Sequence, residues 1–343
     1  MPSLDPFPME LYVRTPLKAI LSGEHSVIYG HPCIAMALDL YTSGHARVAR
    51  KATCPSSFPF PALLDIRTGK RLDLSNSMKE AIRLINEEVL TRLLTTRQSD
   101  TVRHYCESID ITVHRWALGK GLGSSASILV THTALLLAAS SNYSPSVLFD
   151  IALLGENHIH GKTTGMDLKT VIYGGIQIYN HDALYNAKIS PDIFATRKVQ
   201  VLIADSGVAK STAQAVELVK QGGSKDTLAR IGEISKDLIE LLMNASIPGQ
   251  VSDDSFYLAF STLVQQNHNL LCSLGVTVTE TECSRELLYH MGCFAAKLTG
   301  AGLGGCCIGF RTQHNSIANS SDTHVIEVGI GEGLLMTNTP QQI

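Results

Sequence analysis

Charge and aromatic rings are both scarce in this chain. Charged residues fill 17% of its 343 positions, aromatics 6%, and there is one tryptophan. With 28 basic and 31 acidic residues the formal net charge is −3, which removes the electrostatic case for binding nucleic acid or a membrane surface. No apolar run reaches the ~18 residues that a bilayer-spanning helix needs. The most apolar stretch, 128–139, is broken by Thr131, His132 and Thr133 and reads as a buried helix. Residues 1–10 carry Asp5 and Glu10 and have no apolar segment behind a basic one, so a secretory signal is not expected. The final residues, Gln341-Gln342-Ile343, match no peroxisomal or retention tripeptide. None of the eight cysteines forms a Cys-x-x-Cys pair, and no Cys/His spacing reads as a zinc site. Scattered cysteines fit a reducing compartment and are expected to be small buried apolar groups. These absences point to a soluble, cytoplasmic protein without repeats or low-complexity tracts.

What is present is a composition that can build a core, with 44% hydrophobic residues. At roughly 150 residues per domain, the length suggests two domains. Residues 9–50 read as short strands, with Leu11-Tyr12-Val13 and Ala19-Ile20-Leu21 separated by Pro16. Residues 52–75 read as a loop or irregular hairpin. The apolar spacing from Ser77 to Leu94 predicts an amphipathic helix over 76–98. A strand follows at 109–113, then helices at about 124–141 and 146–158, the latter with Ser144 as N-cap and Pro145 at its first position. Strands at 176–179 and 199–203 flank a change of character between 181 and 198, taken as the domain boundary. The second half is mostly helical (209–220, 224–244, 253–273 and 279–290) before strands return at 294–298 and 305–311. Segregated strands and helices indicate α+β rather than a doubly wound sheet.

The most informative segment is Gly119-Lys120-Gly121-Leu122-Gly123-Ser124-Ser125-Ala126-Ser127, between a strand and a helix. Glycines permit backbone conformations and close approaches that other residues avoid. The helix behind them aims unpaired N–H groups and its positive dipole end at the loop, a natural seat for phosphate. Serine hydroxyls there can meet phosphate oxygens or Mg²⁺, and Lys120 can add charge. The pattern is neither a Walker A loop nor a dinucleotide fingerprint. The plainer reading is a strand-to-helix turn with a serine cap.

This segment resembles the second motif of the GHMP kinases. Two partner motifs stand in the family's order. Thr15-Pro16-Leu17-Lys18 through Gly23-Glu24-His25-Ser26-Val27-Ile28-Tyr29-Gly30 resembles the opening motif, and its Glu-His continuation is similar to members that act on mevalonate. Lys297-Leu298-Thr299-Gly300-Ala301-Gly302-Leu303-Gly304-Gly305-Cys306 resembles the third. Further likeness at 155–175 and 267–276 extends the resemblance over the chain, weakly at 50–105 and 312–343.

The resemblance implies a two-domain GHMP kinase-like α+β fold. An N-terminal ribosomal-protein-S5-like, ATP-binding domain (1–185) and a C-terminal ferredoxin-like domain (186–343) would enclose the active site in their cleft. It implies phosphorylation of mevalonate at its 5-hydroxyl by ATP with Mg²⁺ as cofactor. Asp167 is then the base and Lys18 the cation beside it, stabilising developing alkoxide charge. Lys120, Gly121, Leu122, Gly123, Ser124, Ser125 and Ala126 line the phosphate seat. Ser125 and Glu156 hold the metal. Glu24, His25, Ile159, His160, Asp167, Thr212, Gly300 and Ala301 face the substrate. Alone, Asp167 reads equally as a first-turn helix acid, Glu156 as a solvated acid, Lys18 as a surface lysine and His25 and His160 as packing residues. Prenyl diphosphates as feedback inhibitors and a homodimer are further implications.

Several positions depart from the family pattern: Leu17 and Leu303 where glycine is usual, Ala117-Leu118 for a proline-bearing entry, Lys120 for a small residue, and Leu168 for Asn. Two other readings stay open. One is a GHMP kinase acting on phosphomevalonate, homoserine or a sugar. The other is a non-catalytic GHMP-like regulator that binds ligand.

Overall fold

The computed structural model describes residues 10–51, 56–95, 103–139, 143–161, 163–180, 189–190, 192–210, 212–312 and 324–339. Cys54, Lys162, Ser211 and the expected 185/186 boundary lie outside them.

Two sheets organise the described chain. The larger is built from β1 (Glu10–Ser22), β2 (Cys33–Lys51), β3 (Ala62–Asp65), β4 (Arg71–Leu72), β5 (Arg103–Val113), β6 (Ile176–Tyr179) and β11 (Leu335–Thr337). Its order is β11-β1-β2-β5-β3-β4, with β6 also on β2. The smaller has the order β10-β7-β9-β8, from β7 (Val199–Asp205), β8 (Cys293–Thr299), β9 (Cys306–Thr312) and β10 (Val325–Val328). The helices are α1 (Asn76–Thr95), α2 (Ser124–Ala139), α3 (Pro145–His160), α4 (Met166–Tyr173), α5 (Asp192–Thr196), α6 (Thr212–Gly222), α7 (Lys225–Ala245), α8 (Asp253–Ser273) and α9 (Thr279–His290). None among the described residues is long and apolar enough to cross a membrane.

The short strands expected before residue 50 are instead two long ones. Pro16 does not separate two strands: β1 runs through it, and the register with β2 shifts between Pro16 and Leu17. A bulge is where a residue without an N–H is tolerated in a sheet. Residues 62–72 form the irregular hairpin, β3 with β4. Ser144 caps α3 by accepting the Val147 N–H, with Pro145 at the first position as expected. Helices α4 and α5 and strands β10 and β11 are too short for their periodicity to show in sequence.

One apolar cluster packs α1, α2, α3 and α4 on the larger sheet, through residues such as Ile82, Ile111, Leu129, Ile151 and Leu168. A second joins the two sheets: Leu17, Leu21, Ile34 and Leu38 meet Phe256, Phe260, Ile308 and Phe310. Leu17 is therefore core, with its side chain in the seam between sheets. Polar bonds reinforce that seam. Thr299 Oγ1 accepts the Ile20 N–H at 2.8 Å, and the Ser22 and Ser235 hydroxyls lie 2.8 Å apart.

The cysteine expectation holds for Cys33, Cys106, Cys293, Cys306 and Cys307, which are buried. Cys272 and Cys283 are exposed, on the outer faces of α8 and α9. Cys272 joins His268 and Glu282 in a cluster whose ligand-type atoms lie within 4.8 Å of one another, a trio the sequence analysis did not single out. It is a hydrogen-bonded cluster. The Leu298 N–H donates to His268 Nδ1, so the proton sits on Nε2, which gives it to Glu282. That tautomer leaves no lone pair on Nε2 for a metal.

Candidate active site

The glycine loop ends β5's connection and opens α2, with Ser124 and Ser125 half-buried at the helix start. Gly123 has φ +70°, and a Cβ there would lie 2.7 Å from Lys18 Cγ. The glycine thus lets Lys18 of β1 pass beneath the loop, and the Lys18 N–H donates to Leu122 O at 2.9 Å. Lys18 is only 2% exposed.

Its ammonium lies 3.0 Å from Asp167 Oδ1. Asp167 sits in the first turn of α4, after Gly165 at φ +71°, and from there its carboxylate faces Lys18. Glu156 comes from α3 and is 2% exposed, not solvated. Burial first, then the Asp167 charge, pushes its pKa up to about 8, against the pull of Lys18 and Lys210. Glu156 Oε2 has no hydrogen-bond partner among the described residues. His160, one helical turn on, places Nε2 3.9 Å from Glu156 Oε1 and 3.2 Å from Ser125 Oγ. Burial lowers the His160 pKa, so a neutral ring bonds the serine. A buried carboxylate with an unpaired oxygen, near a serine hydroxyl at a helix start, fits an oxygen-preferring divalent cation such as Mg²⁺.

The opening and third motifs meet on the other side. His25, held at φ +59°, is nearly buried, and its Nε2 bonds Ala301 O at 2.8 Å. A carbonyl only accepts, so Nε2 carries the proton and Nδ1, without a partner among the described residues, is an acceptor. Glu24 differs from its expected substrate-facing role. It is fully buried and ion-paired with the equally buried Lys297, which also donates to Leu298 O at 2.6 Å. Burial raises the Glu24 pKa despite that lysine. Gly300 borders the loop: a Cβ on it would lie 3.3 Å from Gly121 O.

The remaining marked positions lie elsewhere around these elements. Ile159 packs against the core under the larger sheet. Thr212 begins α6, half-buried. Lys120, expected at phosphate, pairs with Asp205 Oδ1 at 2.8 Å. Leu303 takes φ +56°, a left-handed conformation, with its N–H on Val276 O.

Sequence reasoning missed Lys210. Its amino group lies 3.3 Å from where a Cβ on Gly121 or on Gly300 would stand, so it sits between the second and third motifs. Burial, then the Lys18 charge, lowers its pKa to about 8. The only signal was its place in Asp205-Ser206-Gly207-Val208-Ala209-Lys210, a glycine-bearing turn after a strand. Lys297 was missed as a partner because a lysine inside a strand reads as solvent-facing until its burial is known.

A phosphate-type helix start, a lysine–aspartate pair and a buried acid, gathered where two sheets meet, define a small-molecule kinase of two-domain architecture. The chain belongs to the GHMP kinases, whose N terminal domain matches residues 77–175 and whose C terminal domain matches 256–318. It is 26% identical over 334 residues to the mevalonate kinase of Thermococcus sibiricus, covering 90% of this chain and 91% of that one. The Arabidopsis thaliana mevalonate kinase is also 26% identical, over 356 residues, with 88% and 90% covered. The crystal structure of the Methanococcus jannaschii mevalonate kinase shares the fold, with a TM-score of 0.67 and 22% identity, covering 96% of this chain and 100% of that chain.

Proposed function

We propose that this protein transfers the γ-phosphoryl group of ATP to the 5-hydroxyl of mevalonate, giving 5-phosphomevalonate and ADP in isoprenoid biosynthesis. The observation that carries the reading is the Lys18–Asp167 pair at 3.0 Å beneath the phosphate-type loop, in a chain similar to mevalonate kinases over most of its length.

Each part of the reaction has a group suited to it. The substrate O–H bond breaks as its oxygen bonds the γ-phosphorus, and the bridging P–O bond opens to release ADP. Asp167 takes the proton, and Lys18 stabilises negative charge growing on the oxygen. Backbone N–H groups at the start of α2, with Ser124, receive phosphate oxygens. Lys210, between the second and third motifs, adds positive charge where phosphate charge shifts. His25 Nδ1 can accept a hydrogen bond from a second substrate hydroxyl, which keeps its proton. Ser125 and Glu156 are the residues that would hold Mg²⁺, which when bound offsets phosphate charge.

A coupled ADP-release assay tests this, run with Mg·ATP and mevalonate beside phosphomevalonate, homoserine and galactose. Turnover on mevalonate alone is expected. Turnover on another alcohol keeps the mechanism and rejects the substrate. Mg·ATP binding without turnover on any of them supports a regulator instead.

A further inference from the structure

Lys120 stands where the family's phosphate loop has a small residue, yet its ammonium does not point to an open phosphate seat. It is 9% exposed and lies 2.8 Å from Asp205 Oδ1, at the end of β7 in the other sheet. Asp205 is itself fixed. The same oxygen accepts the Gly207 N–H at 2.9 Å, and the Asp205 N–H donates to His324 O at 2.9 Å. The backbone beside Lys120 is held from the same direction. Lys210 N–H reaches Gly119 O at 3.3 Å, and Lys120 O lies 2.6 Å from where a Cβ on Gly305 would stand.

From these contacts we infer that Lys120 and Asp205 form an interdomain latch that positions the phosphate loop, and that Lys120 is a positioning residue rather than a phosphate ligand. The inference rests on the kinase reading for its effect on ATP, though not for the latch itself. Three of the loop's first five residues are glycines, which favour a broad ensemble when unheld. Among the described residues, its own half of the chain holds it at three backbone points: Lys18 N–H to Leu122 O, Lys120 N–H to Ala117 O and Ser127 N–H to Gly123 O. From the other half come the Lys210 N–H on Gly119 O and the ion pair, the latter a side-chain anchor from the smaller sheet. Withdrawing Lys120 to a phosphate would strand the Asp205 carboxylate, 16% exposed at its side chain, beside buried Cys306. That unpaired negative charge would stand next to the incoming triphosphate.

Asp205→Asn separates the two roles, because it leaves Lys120 intact and free. Two readouts are taken on Asp205→Asn, Lys120→Met, the double variant and Lys120→Arg. The first is amide hydrogen exchange of 117–123 in the ligand-free protein, which needs no activity. The second is Mg·ATP affinity by titration, with KM for each substrate. A latch predicts faster loop exchange and about tenfold weaker ATP binding in either single variant, with no added loss in the double. It also predicts an unchanged KM for the acceptor alcohol and wild-type behaviour for Lys120→Arg, which can still pair with Asp205. The inference is overturned if Asp205→Asn binds ATP as well as wild type or better while Lys120→Met binds it worse, or if loop exchange is unaltered in both. Should the wild type bind no ATP, the kinase reading fails, and loop exchange alone decides on the latch.

Discussion

Lys18 and Asp167 are brought to 3.0 Å by two different segments, a strand passing under a glycine and a helix starting after one. Lysine fixes the carboxylate, and both lie where the phosphate loop ends. Asp167→Asn keeps the shape and removes the proton acceptor. Its kcat is expected to fall by on the order of 10²–10⁴ with ATP affinity retained. Steady-state kinetics alongside nucleotide titration checks this, and near-normal turnover would remove Asp167 from the base role.

Gly123 is the spacer that makes the pair possible. A methyl group there would press on Lys18 Cγ from 2.7 Å, at a φ of +70° that alanine resists. Gly123→Ala is expected to lower kcat about as steeply as losing Lys18, by roughly 10²-fold or more. Comparing the rates of Gly123→Ala and Lys18→Met measures it. Equal activity in Gly123→Ala and wild type would show that the loop can move aside.

Glu156 gives the unliganded protein a pH signature. Its folded pKa of about 8 lies above the usual carboxylate value of 4.5, so between those values the folded state holds a proton that the unfolded state has lost. The favourable contribution is complete below pH 4.5 and is lost as pH rises towards 8. The buried histidines shift the other way but act below about 6.5. From pH 6.5 to 7.5, wild-type stability is therefore expected to fall relative to Glu156→Gln, by at most about 1.4 kcal/mol per pH unit. Denaturant melts of both proteins across that range test it, and parallel curves would count against a protonated Glu156.

Leu17 departs from the family's glycine without touching the cleft chemistry. It lies in the seam between the sheets, opposite Leu38 of β2. Leu17→Ala is expected to cost about 2–4 kcal/mol of stability and to leave the choice among acceptor alcohols unchanged. Thermal melts and the substrate panel read the two effects separately. A changed substrate preference would put this residue in the specificity machinery.

Much of this was legible in the sequence, and the exceptions share a cause. Helices α8 and α9 fall on the residues their periodicity predicts, because long amphipathic patterns declare themselves locally. The motifs marked Lys18, Ser125, Glu156 and Asp167, since glycines and caps constrain the backbone wherever they stand. What could not be read is pairing across distance. Lys297 looks like an exposed strand lysine until Glu24, far away in the chain, is found against it. Lys120 looks like a phosphate ligand until Asp205 arrives from the second sheet. Ile159 follows the helical repeat of α3 into the core, and its nearness to His160 in sequence says nothing about which face it takes.

Strand β11 adds a temporal consequence. Residues 335–337 pair with Tyr12, Val13 and Arg14, at the opposite end of the described chain. During synthesis, the outer edge of β1 therefore waits for its partner until residues 335–337 have left the ribosome. Until then the strand that carries Lys18 keeps an open edge at Tyr12–Arg14, a natural place for a chaperone to hold.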